Sequence, residues 1–310
     1  MRIIFMGTPD FAIPSLRKLV EYGYDVVGVV TAPDRPAGRG RKLRPSPIKV
    51  YAESVGIPIF QPEKLRSPDF LDALRNLEPD LAVVVAFRML PELVWSIPKM
   101  GTFNLHAALL PDYRGAAPLN WVIINGETQT GATTFFIDHK IDTGATLLQS
   151  KMDIPDTWSV GDLHDAMMEM GGDLVLKTAQ AIEKGEVTPV PQNHAAFQHP
   201  APKIFKENCL IDWSKPRTEV YNLIRGMSPY PAAWTRMEGK VLKVFKTERV
   251  TSETELKVGR AVVVDGDRIL VGCGDGWLEV LELQLEGKKR MSTKDFLRGY
   301  KGEISHVGES

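Results

Sequence analysis

Residues 1–31 are MRIIFMGTPDFAIPSLRKLVEYGYDVVGVVT, and this stretch decides the fold class. An apolar, β-branched run ends at Gly7, a segment of helical spacing ends near Gly23, and a second apolar run follows at once. Two apolar strands joined through a helix are typical of a parallel βαβ unit. The beginning of the chain therefore predicts a parallel sheet covered by helices.

The same alternation continues through the first half of the chain. Further apolar runs are IPIF, DLAVVVAF, GTFNLH and GATTFFID, and DFLDALRNL has helical spacing between two of them. This order predicts an α/β fold, a Rossmann-like doubly wound and mostly parallel sheet. Ligands of such sheets bind outside the carboxyl ends of the strands.

The pattern changes after a proline-rich segment, PVPQNHAAFQHPAP at residues 189–202, which predicts an extended linker. A helical pattern, RTEVYNLIRGM, is followed by short strands, among them a hairpin turning at Asp265 and Gly266 and a run in which Leu281, Leu283 and Leu285 alternate with polar residues. We predict a small antiparallel β-barrel. The expected boundaries are 1–188 for the first domain, 189–204 for the linker and 205–310 for the second domain.

Composition indicates a globular protein. The net charge is -1, 43% of residues are hydrophobic and 25% are charged, and no apolar run approaches the roughly 18 residues of a membrane-spanning helix. The first residues continue directly into a predicted strand, without the cleavage site of a secretory leader. With only two cysteines, we expect a cytoplasmic protein that has no membrane association and acts as a monomer.

Asn104 and His106 are the first candidate catalytic residues. In the predicted strand TFNLH both side chains lie on one face, and Leu105 lies on the other. An amide and a protonated imidazole can both donate to a developing oxyanion, and the imidazole can also transfer a proton. The following residues, LLPDYRGAAP, cannot continue the strand and predict a rigid loop whose backbone groups are available to a ligand.

Asp142 is the candidate acid. It stands in the turn signal Asp-Thr-Gly, with Asp138 and His139 as competing neighbours, and a carboxylate near His106 would raise the pKa of the imidazole. No G-x-S-x-G nucleophile motif is present, which favours direct transfer. The first turn has only Gly7, so a nicotinamide cofactor is not expected. The six histidines form no metal-ligand motif, so we expect no metal.

A basic loop in the first half is a candidate phosphate-binding segment. Between Arg35 and Lys49 there are six basic residues and no acidic one, a local charge of +6. Gly38 and Gly40 make a mobile loop that could reach phosphates, although a solvated loop without a partner has the same composition.

These residues together resemble the methionyl-tRNA formyltransferase family, a branch of the formyl-tetrahydrofolate-dependent transferases. The similarity covers nearly the whole chain in order: RIIFMGTPDFA, TAPDRPAGRGRKLRPSPIK, NLHAALLPDYRGAAP, IDTGA, IDWS, SPYPAAWT and GKKRM. It implies transfer of a formyl group from 10-formyltetrahydrofolate to the methionine amine of initiator methionyl-tRNA. It also implies that the second domain is OB-like and helps to hold the tRNA.

The resemblance assigns roles to individual positions. Asn104, His106 and Asp142 match the catalytic residues of the family. The folate-contacting positions are Ala108, where the family usually has serine, and Leu109, Leu110, Pro111, Phe87 and Arg88, the last two in a loop that is one residue shorter than usual. The tRNA-contacting positions are Arg39, Arg41, Lys42 and Arg35.

Three other hypotheses fit part of the pattern. A formyltransferase acting on glycinamide ribonucleotide or on an amino sugar nucleotide would need the same Asn, His and Asp. An RNA-binding protein with an inactive first domain would need none of them. Hydrolysis of the formyl donor by water would need all three and would release formate without an amine acceptor.

Overall fold

The structure is a computed structural model that describes residues 1–37, 42–253 and 255–308, without the side chains of Ala37, Lys42 and His194. The chain forms two compact units that are not contiguous in sequence. Unit 1 contains residues 1–115, 130–152 and 164–200, and unit 2 contains 116–129, 153–163 and 201–310. The boundaries predicted from the sequence divide the chain into consecutive segments. They stay a prediction, which expression of a fragment tests. Within the described ranges, no helix is long and apolar enough to cross a membrane.

The first fifteen helices and strands largely alternate, as the sequence predicts, with two places where strands follow one another directly. They are β1 (Arg2–Gly7), α1 (Ile13–Tyr22), β2 (Asp25–Val30), β3 (Arg35–Ala37), β4 (Lys42–Arg44), α2 (Pro47–Ser54), β5 (Ile59–Phe60), α3 (Pro68–Asn76), β6 (Leu81–Val85), α4 (Glu92–Trp95), β7 (Thr102–His106), α5 (Pro118–Ile124), β8 (Gln129–Phe136), β9 (Thr146–Asp153) and α6 (Val160–Glu183).

Seven of these strands form one sheet in the order β5-β2-β1-β6-β7-β8-β9. The pairs β5/β2, β2/β1, β1/β6 and β6/β7 are parallel, and β7/β8 is antiparallel. The order runs outward from β1 in one direction to β5 and in the other to β7, so the sheet is doubly wound. The Rossmann-like α/β prediction is confirmed, and the carboxyl ends of β6 and β7 lie side by side.

Helix α6 continues without interruption through Gly171 and Gly172, although glycine is unfavourable inside a helix. A Cβ on Gly171 would lie 2.8 Å from the Leu105 side chain, and one on Gly172 would lie 3.0 Å from the Pro14 backbone. The two glycines therefore allow the helix to approach the sheet and α1 closely. Their role is packing rather than helix termination.

The remaining elements form the antiparallel part of the molecule. They are α7 (Arg217–Met227), β10 (Ala233–Met237), β11 (Lys240–Val250), β12 (Ala261–Val264), β13 (Arg268–Gly272), β14 (Trp277–Leu285), β15 (Met291–Ser292) and α8 (Thr293–Gly299). The sheet order is β10-β11-β14-β13-β12, with β15 paired to β14. Asp265 and Gly266 turn the β12–β13 hairpin with positive φ angles of 54° and 75°, as the sequence predicts. The predicted small β domain is confirmed.

One detail of β14 differs from the predicted alternation. Leu283 and Leu285 are buried as expected, whereas Leu281 is only partly buried. The register passes from Glu282 directly to Val280, so Leu281 is the extra residue of a β-bulge. The bulge changes the phase of the strand, and Val280 is buried instead.

Candidate functional site

Strand β7 presents Asn104 and His106 on one face, as the period of two predicts. The intervening Leu105 lies on the other face, where it meets Gly171 of α6. Asn104 is opposite Val84 of β6 and Phe135 of β8, so the strand is held on both sides. The two polar side chains therefore lie at the carboxyl end of a central strand, fixed by its neighbours.

The Asn104 side chain is partly buried. In the part of the chain that the structure describes, its amide group makes no hydrogen bond with another residue. Most partly buried amides in folded proteins have a protein or water partner. An amide N–H held by a rigid strand is therefore available to donate to a ligand oxygen.

His106 is buried, with 5% of its surface exposed. Its Nε2 lies 2.8 Å from the Tyr113 backbone oxygen, and because a carbonyl only accepts hydrogen bonds, Nε2 must carry a proton. Burial lowers the pKa of the imidazole below its ordinary value; the Asp142 carboxylate and the Tyr113 carbonyl oppose this effect, and Arg114 adds to it. The Asp142 carboxylate raises the pKa, as the sequence predicts, but the net shift is downward because desolvation outweighs the carboxylate. The ring is neutral near pH 7, with an unprotonated Nδ1.

Asp142 faces this unprotonated nitrogen. Its Oδ2 lies 3.8 Å from His106 Nδ1 and accepts a hydrogen bond of 3.0 Å from the Gly115 backbone N–H. Asp142 has a φ of 54°, and a Cβ on the nearby Gly144 would lie 1.7 Å from the Phe136 oxygen. The turn therefore needs a glycine at position 144 to bring the carboxylate to the imidazole.

The loop after β7 is held from within. The Thr133 hydroxyl accepts from the Leu110 N–H at 3.0 Å and donates to the Ala108 oxygen at 2.7 Å, and Gln149 Nε2 donates to the Leu110 oxygen at 2.9 Å. The loop is rigid, as predicted, but the expectation that its backbone is available to a ligand is wrong for these groups. Ala108 is fully buried, whereas Leu109 and Pro111 are only partly buried.

Phe87 and Arg88 follow the neighbouring strand, β6. Phe87 is partly buried against a core cluster, and Arg88 is exposed and donates to the backbone oxygens of Pro62 and Glu63. Arg88, Met89 and Leu90 line a cavity of about 370 Å³ together with Lys64, Leu65, Arg66 and Pro91. This volume is within the range of small-molecule sites.

The basic loop is only partly described. Arg39 and Arg41 lie outside the described residues, and so does the side chain of Lys42, whose backbone belongs to β4. Arg35 is exposed on β3 and lies directly opposite Arg44 of β4. Two arginines in this position repel each other unless an anion lies between or beside them.

Gln192 is a site residue that the sequence did not reveal. It lies within the predicted linker, yet only 8% of its surface is exposed. Its Nε2 donates to the backbone oxygens of Asp142 and Gly144 at 2.9 and 2.8 Å, and its Oε1 accepts from Arg114. A polar residue in a segment without periodicity gives no signal of these contacts, because the partners are 48 to 78 residues away in the sequence.

Comparison with known proteins identifies the family. A family model described as "Formyl transferase" matches residues 1–179, and one described as "Formyl transferase, C-terminal domain" matches residues 203–301. The chain is 53% identical to a methionyl-tRNA formyltransferase of Bacteroides thetaiotaomicron over 97% of this chain and 96% of that protein. It is 55% identical to the protein of the same name from Phocaeicola vulgatus, with the same coverage.

Among solved structures, HypX of Aquifex aeolicus in complex with tetrahydrofolic acid is similar in fold, with a TM-score of 0.67 and 18% identity. That match covers 98% of this chain and 50% of HypX, so the chain spans about half the length of that protein. Since the two family models together match most of the sequence, and relatives at more than half identity cover nearly all of it, the chain belongs to the formyl transferase family.

Proposed function

We propose that the chain transfers the formyl group of 10-formyltetrahydrofolate to the amino group of methionine on initiator methionyl-tRNA. The observation that carries the chemistry is the Asn104 amide, which makes no hydrogen bond with another described residue and lies on the same strand face as a neutral His106, whose Nδ1 faces Asp142. The acceptor is proposed from the relatives named methionyl-tRNA formyltransferase. Because charged initiator tRNA is used where ribosomes begin translation, we expect the chain to act in the cytoplasm.

The proposed reaction begins when the methionine amine attacks the formyl carbon. Negative charge then develops on the formyl oxygen, and the Asn104 N–H donates to it. The amide does not have to move to reach this oxygen, because β7 holds it in place before the substrate binds. Removal of one such donor typically lowers the rate by about 10² to 10³-fold.

The proton of the attacking amine goes to His106. Nε2 already carries a proton and donates a hydrogen bond to the Tyr113 oxygen, so Nδ1 is the nitrogen that can accept the proton of the amine. The imidazolium that forms is stabilised by the Asp142 carboxylate at 3.8 Å. When the bond from the formyl carbon to N10 of the folate breaks, the proton returns to N10, and the products are formyl-methionyl-tRNA and tetrahydrofolate.

The donor is proposed to lie at the carboxyl edge of the sheet, where β6 and β7 end. The cavity of about 370 Å³ beside Arg88 and Met89 offers space there, and Leu109 and Pro111 offer apolar surface. The fully buried Ala108 can contribute only to the shape of this edge. No metal is part of the proposed chemistry, since an amide, an imidazole and a carboxylate supply each step.

The first experiment is transfer of labelled formyl from 10-formyltetrahydrofolate to methionyl initiator tRNA. We expect transfer by the wild type and a loss of about 10² to 10³-fold in kcat for Asn104→Ala, with larger losses for His106→Ala and Asp142→Ala. Asn76→Ala, an exposed asparagine at the end of α3, serves as the matched control.

Three results would contradict the proposal. Formylation of glycinamide ribonucleotide or an amino sugar nucleotide, without formylation of tRNA, would show that the acceptor is a small amine. Formate release without any amine would indicate hydrolysis. RNA binding without formyl transfer, unaffected by His106→Ala, would indicate an RNA-binding protein with an inactive first domain.

A further inference from the structure

Part of the predicted linker is held against the candidate site. Val190 and the first residue of β9, Thr146, exchange two backbone hydrogen bonds of 2.8 and 2.9 Å. The residues that follow contact the Asp142 turn and the loop after β7. We call residues 190–199 the strap, and all of them belong to unit 1.

The first anchor of the strap is Gln192. Its Nε2 donates to the backbone oxygens of Asp142 and Gly144 at 2.9 and 2.8 Å, so one amide joins both ends of the Asp-Thr-Gly turn. Its Oε1 accepts from Arg114, and the Arg114 guanidinium also lies 5.4 Å from the centre of the Phe197 ring. The strap therefore fixes both the turn and the arginine.

The second anchor consists of Gln198 and His199. Asp112 Oδ1 accepts from their backbone N–H groups at 2.6 and 3.2 Å, and the Tyr113 N–H donates to the His199 oxygen at 2.7 Å. The Tyr113 and His199 rings are stacked with their centres 5.4 Å apart, and His199 Nδ1 lies 3.5 Å from Asp112 Oδ2. The strap therefore holds the residue whose carbonyl oxygen accepts from His106.

The two anchors support backbone conformations that are unfavourable for ordinary residues. Asp142 has a φ of 54° and Tyr113 a φ of 56°, in a region that few residues other than glycine adopt. Such conformations persist where surrounding contacts impose them, and they are found mainly at functional sites. Each brings a group to one nitrogen of His106: the Tyr113 oxygen lies 2.8 Å from Nε2, and the Asp142 carboxylate 3.8 Å from Nδ1.

We propose that the strap is a positioning element of the candidate site, which holds the groups that face the two ring nitrogens of His106. Gln192 positions Asp142, and Asp112 positions Tyr113. The strap thereby sets the tautomer of the imidazole and the strength of its pairing with the carboxylate. The proposal rests on the proposed function in one respect, namely that His106 accepts the proton of the amine.

The test must separate two charges that act on the same imidazole. Asp142 raises the pKa of His106, and Arg114 lowers it. Since Gln192 contacts both, its removal changes two opposing effects at once. A double-mutant cycle isolates the effect of the Asp142 carboxylate on the ring, because the direct effect of Arg114 is common to both members of each pair of variants.

The first experiment follows the His106 ring by NMR in the full-length chain without substrate. The shift in the titration midpoint that Asp142→Asn causes is measured in the wild type and again in Gln192→Leu. We expect the second shift to be no more than about half of the first, because a carboxylate that moves away interacts more weakly with the ring. Gln192→Glu keeps the acceptor of this side chain but not its donor, and should give the same reduction. Gln284→Leu, which removes another amide that donates to a backbone oxygen at 2.8 Å, should leave the full shift.

The second experiment determines which nitrogen of the imidazole is protonated, from the nitrogen chemical shifts of the neutral ring. In the wild type we expect the proton on Nε2, as the Tyr113 carbonyl requires. Asp112→Ala removes the acceptor of the second anchor and the partner of His199, and it should add a measurable fraction of the tautomer with the proton on Nδ1. Asp72→Ala, which removes an exposed carboxylate paired with Arg75, should not.

The transfer assay distinguishes positioning from substrate binding. Gln192→Leu should lower kcat by about 10- to 10²-fold, since small displacements of catalytic groups are costly, and should leave both KM values within about twofold of the wild type. Gln192 has only 8% of its surface exposed, so it offers little contact to a substrate. Thermal unfolding verifies that each variant is folded.

The outcomes separate the strap from the proposed function. A full effect of Asp142→Asn in both Gln192 variants would overturn the first anchor, and an unchanged tautomer in Asp112→Ala would overturn the second, whatever the stability of these variants. The expected NMR changes, in a protein that does not formylate tRNA, would support the strap and overturn the function. Transfer by the wild type, with kcat and the His106 ring unchanged in the variants, would overturn the strap and leave the function intact.

Discussion

His106 is a buried imidazole on which two effects act in opposite directions. Burial lowers its pKa, and Asp142 and the Tyr113 carbonyl raise it, with a net result below the ordinary value of 6.5. Between the folded pKa and 6.5, the unfolded chain binds more protons than the folded one. The contribution of His106 to stability is therefore complete above about pH 6.5 and is lost as the pH falls through the folded pKa.

This balance predicts the titration of one residue. By NMR, we expect the His106 ring to titrate below pH 6.5, and Asp142→Asn to lower that midpoint further, because it removes a charge that favours the imidazolium. His106→Gln assigns the signal, and Asp25→Asn removes an exposed carboxylate as a control. A midpoint at or above 6.5, or one that Asp142→Asn leaves unchanged, would contradict the proposed protonation state.

Gly144 is the residue on which the position of Asp142 depends. A Cβ there would lie 1.7 Å from the Phe136 oxygen, so the turn must move. For Gly144→Ala we expect a loss of about 1–3 kcal/mol in the free energy of unfolding and a fall of roughly 10²-fold in kcat/KM, since small displacements of catalytic groups are costly. Denaturant unfolding and the transfer assay measure the two effects. Gly299→Ala, where the added Cβ meets nothing within 4 Å, should change neither, and equal behaviour of the two variants would show that the turn tolerates a side chain.

At the level of elements, the β3–β4 hairpin carries like charges at opposed positions. Arg35 and Arg44 are directly paired, and Arg35 also lowers the pKa of Arg88, behind the larger effect of burial. Because these like charges repel, we expect an anion to stabilise the hairpin, and we propose that RNA phosphates are this anion. The two further predicted contacts, Arg39 and Arg41, lie outside the described residues, and these contacts stay a prediction.

The hairpin can be tested through RNA binding. Arg35→Gln should reduce the salt slope of tRNA binding by about 1 and weaken binding at low salt. In the absence of RNA the same variant should be as stable as the wild type or slightly more stable, since it relieves repulsion. Arg298→Gln, at an exposed arginine paired with Asp295, is the matched control. An unchanged slope would remove Arg35 from the proposed tRNA surface.

At the level of the whole molecule, the compact units interleave along the chain. Residues 116–129 and 153–163 belong to unit 2, although they precede the predicted linker. Within that unit, Asn120 Nδ2 donates to the Gly226 oxygen at 2.8 Å, and Trp121 Nε1 donates to the Pro202 oxygen at 2.8 Å. Helix α5 thus completes the packing of α7.

This interleaving predicts the behaviour of a fragment. Residues 1–200 expressed alone should expose the surface of α5 that packs against α7, bind a hydrophobic dye, and unfold at a lower temperature than the first transition of the full chain. Calorimetry and limited proteolysis of the two proteins measure the difference. A fragment with the thermal stability of the full chain would support instead the predicted division at residues 189–204.

Local patterns in the sequence alone determined much of the fold and part of the candidate site. Apolar runs and helical spacing predicted the doubly wound sheet and the small β domain, and the period of two placed Asn104 and His106 on one face. These features depend on residues within a few positions of each other, so the linear sequence contains them. The pairing of His106 with a carboxylate after the next strand was also anticipated, through Asp142.

The tertiary structure decided what depends on distant contacts. Burial, not the nearby carboxylate, sets the direction of the His106 pKa; Gln192 holds the Asp142 turn from about 50 residues away; and a bulge shifts the phase of β14 at Leu281. Likewise, Trp234 lies opposite Lys243, and Lys243 opposite Gln284, only because of the register between three strands. Desolvation, register and long-range hydrogen bonds arise when remote segments pack together, so only the folded chain determines them.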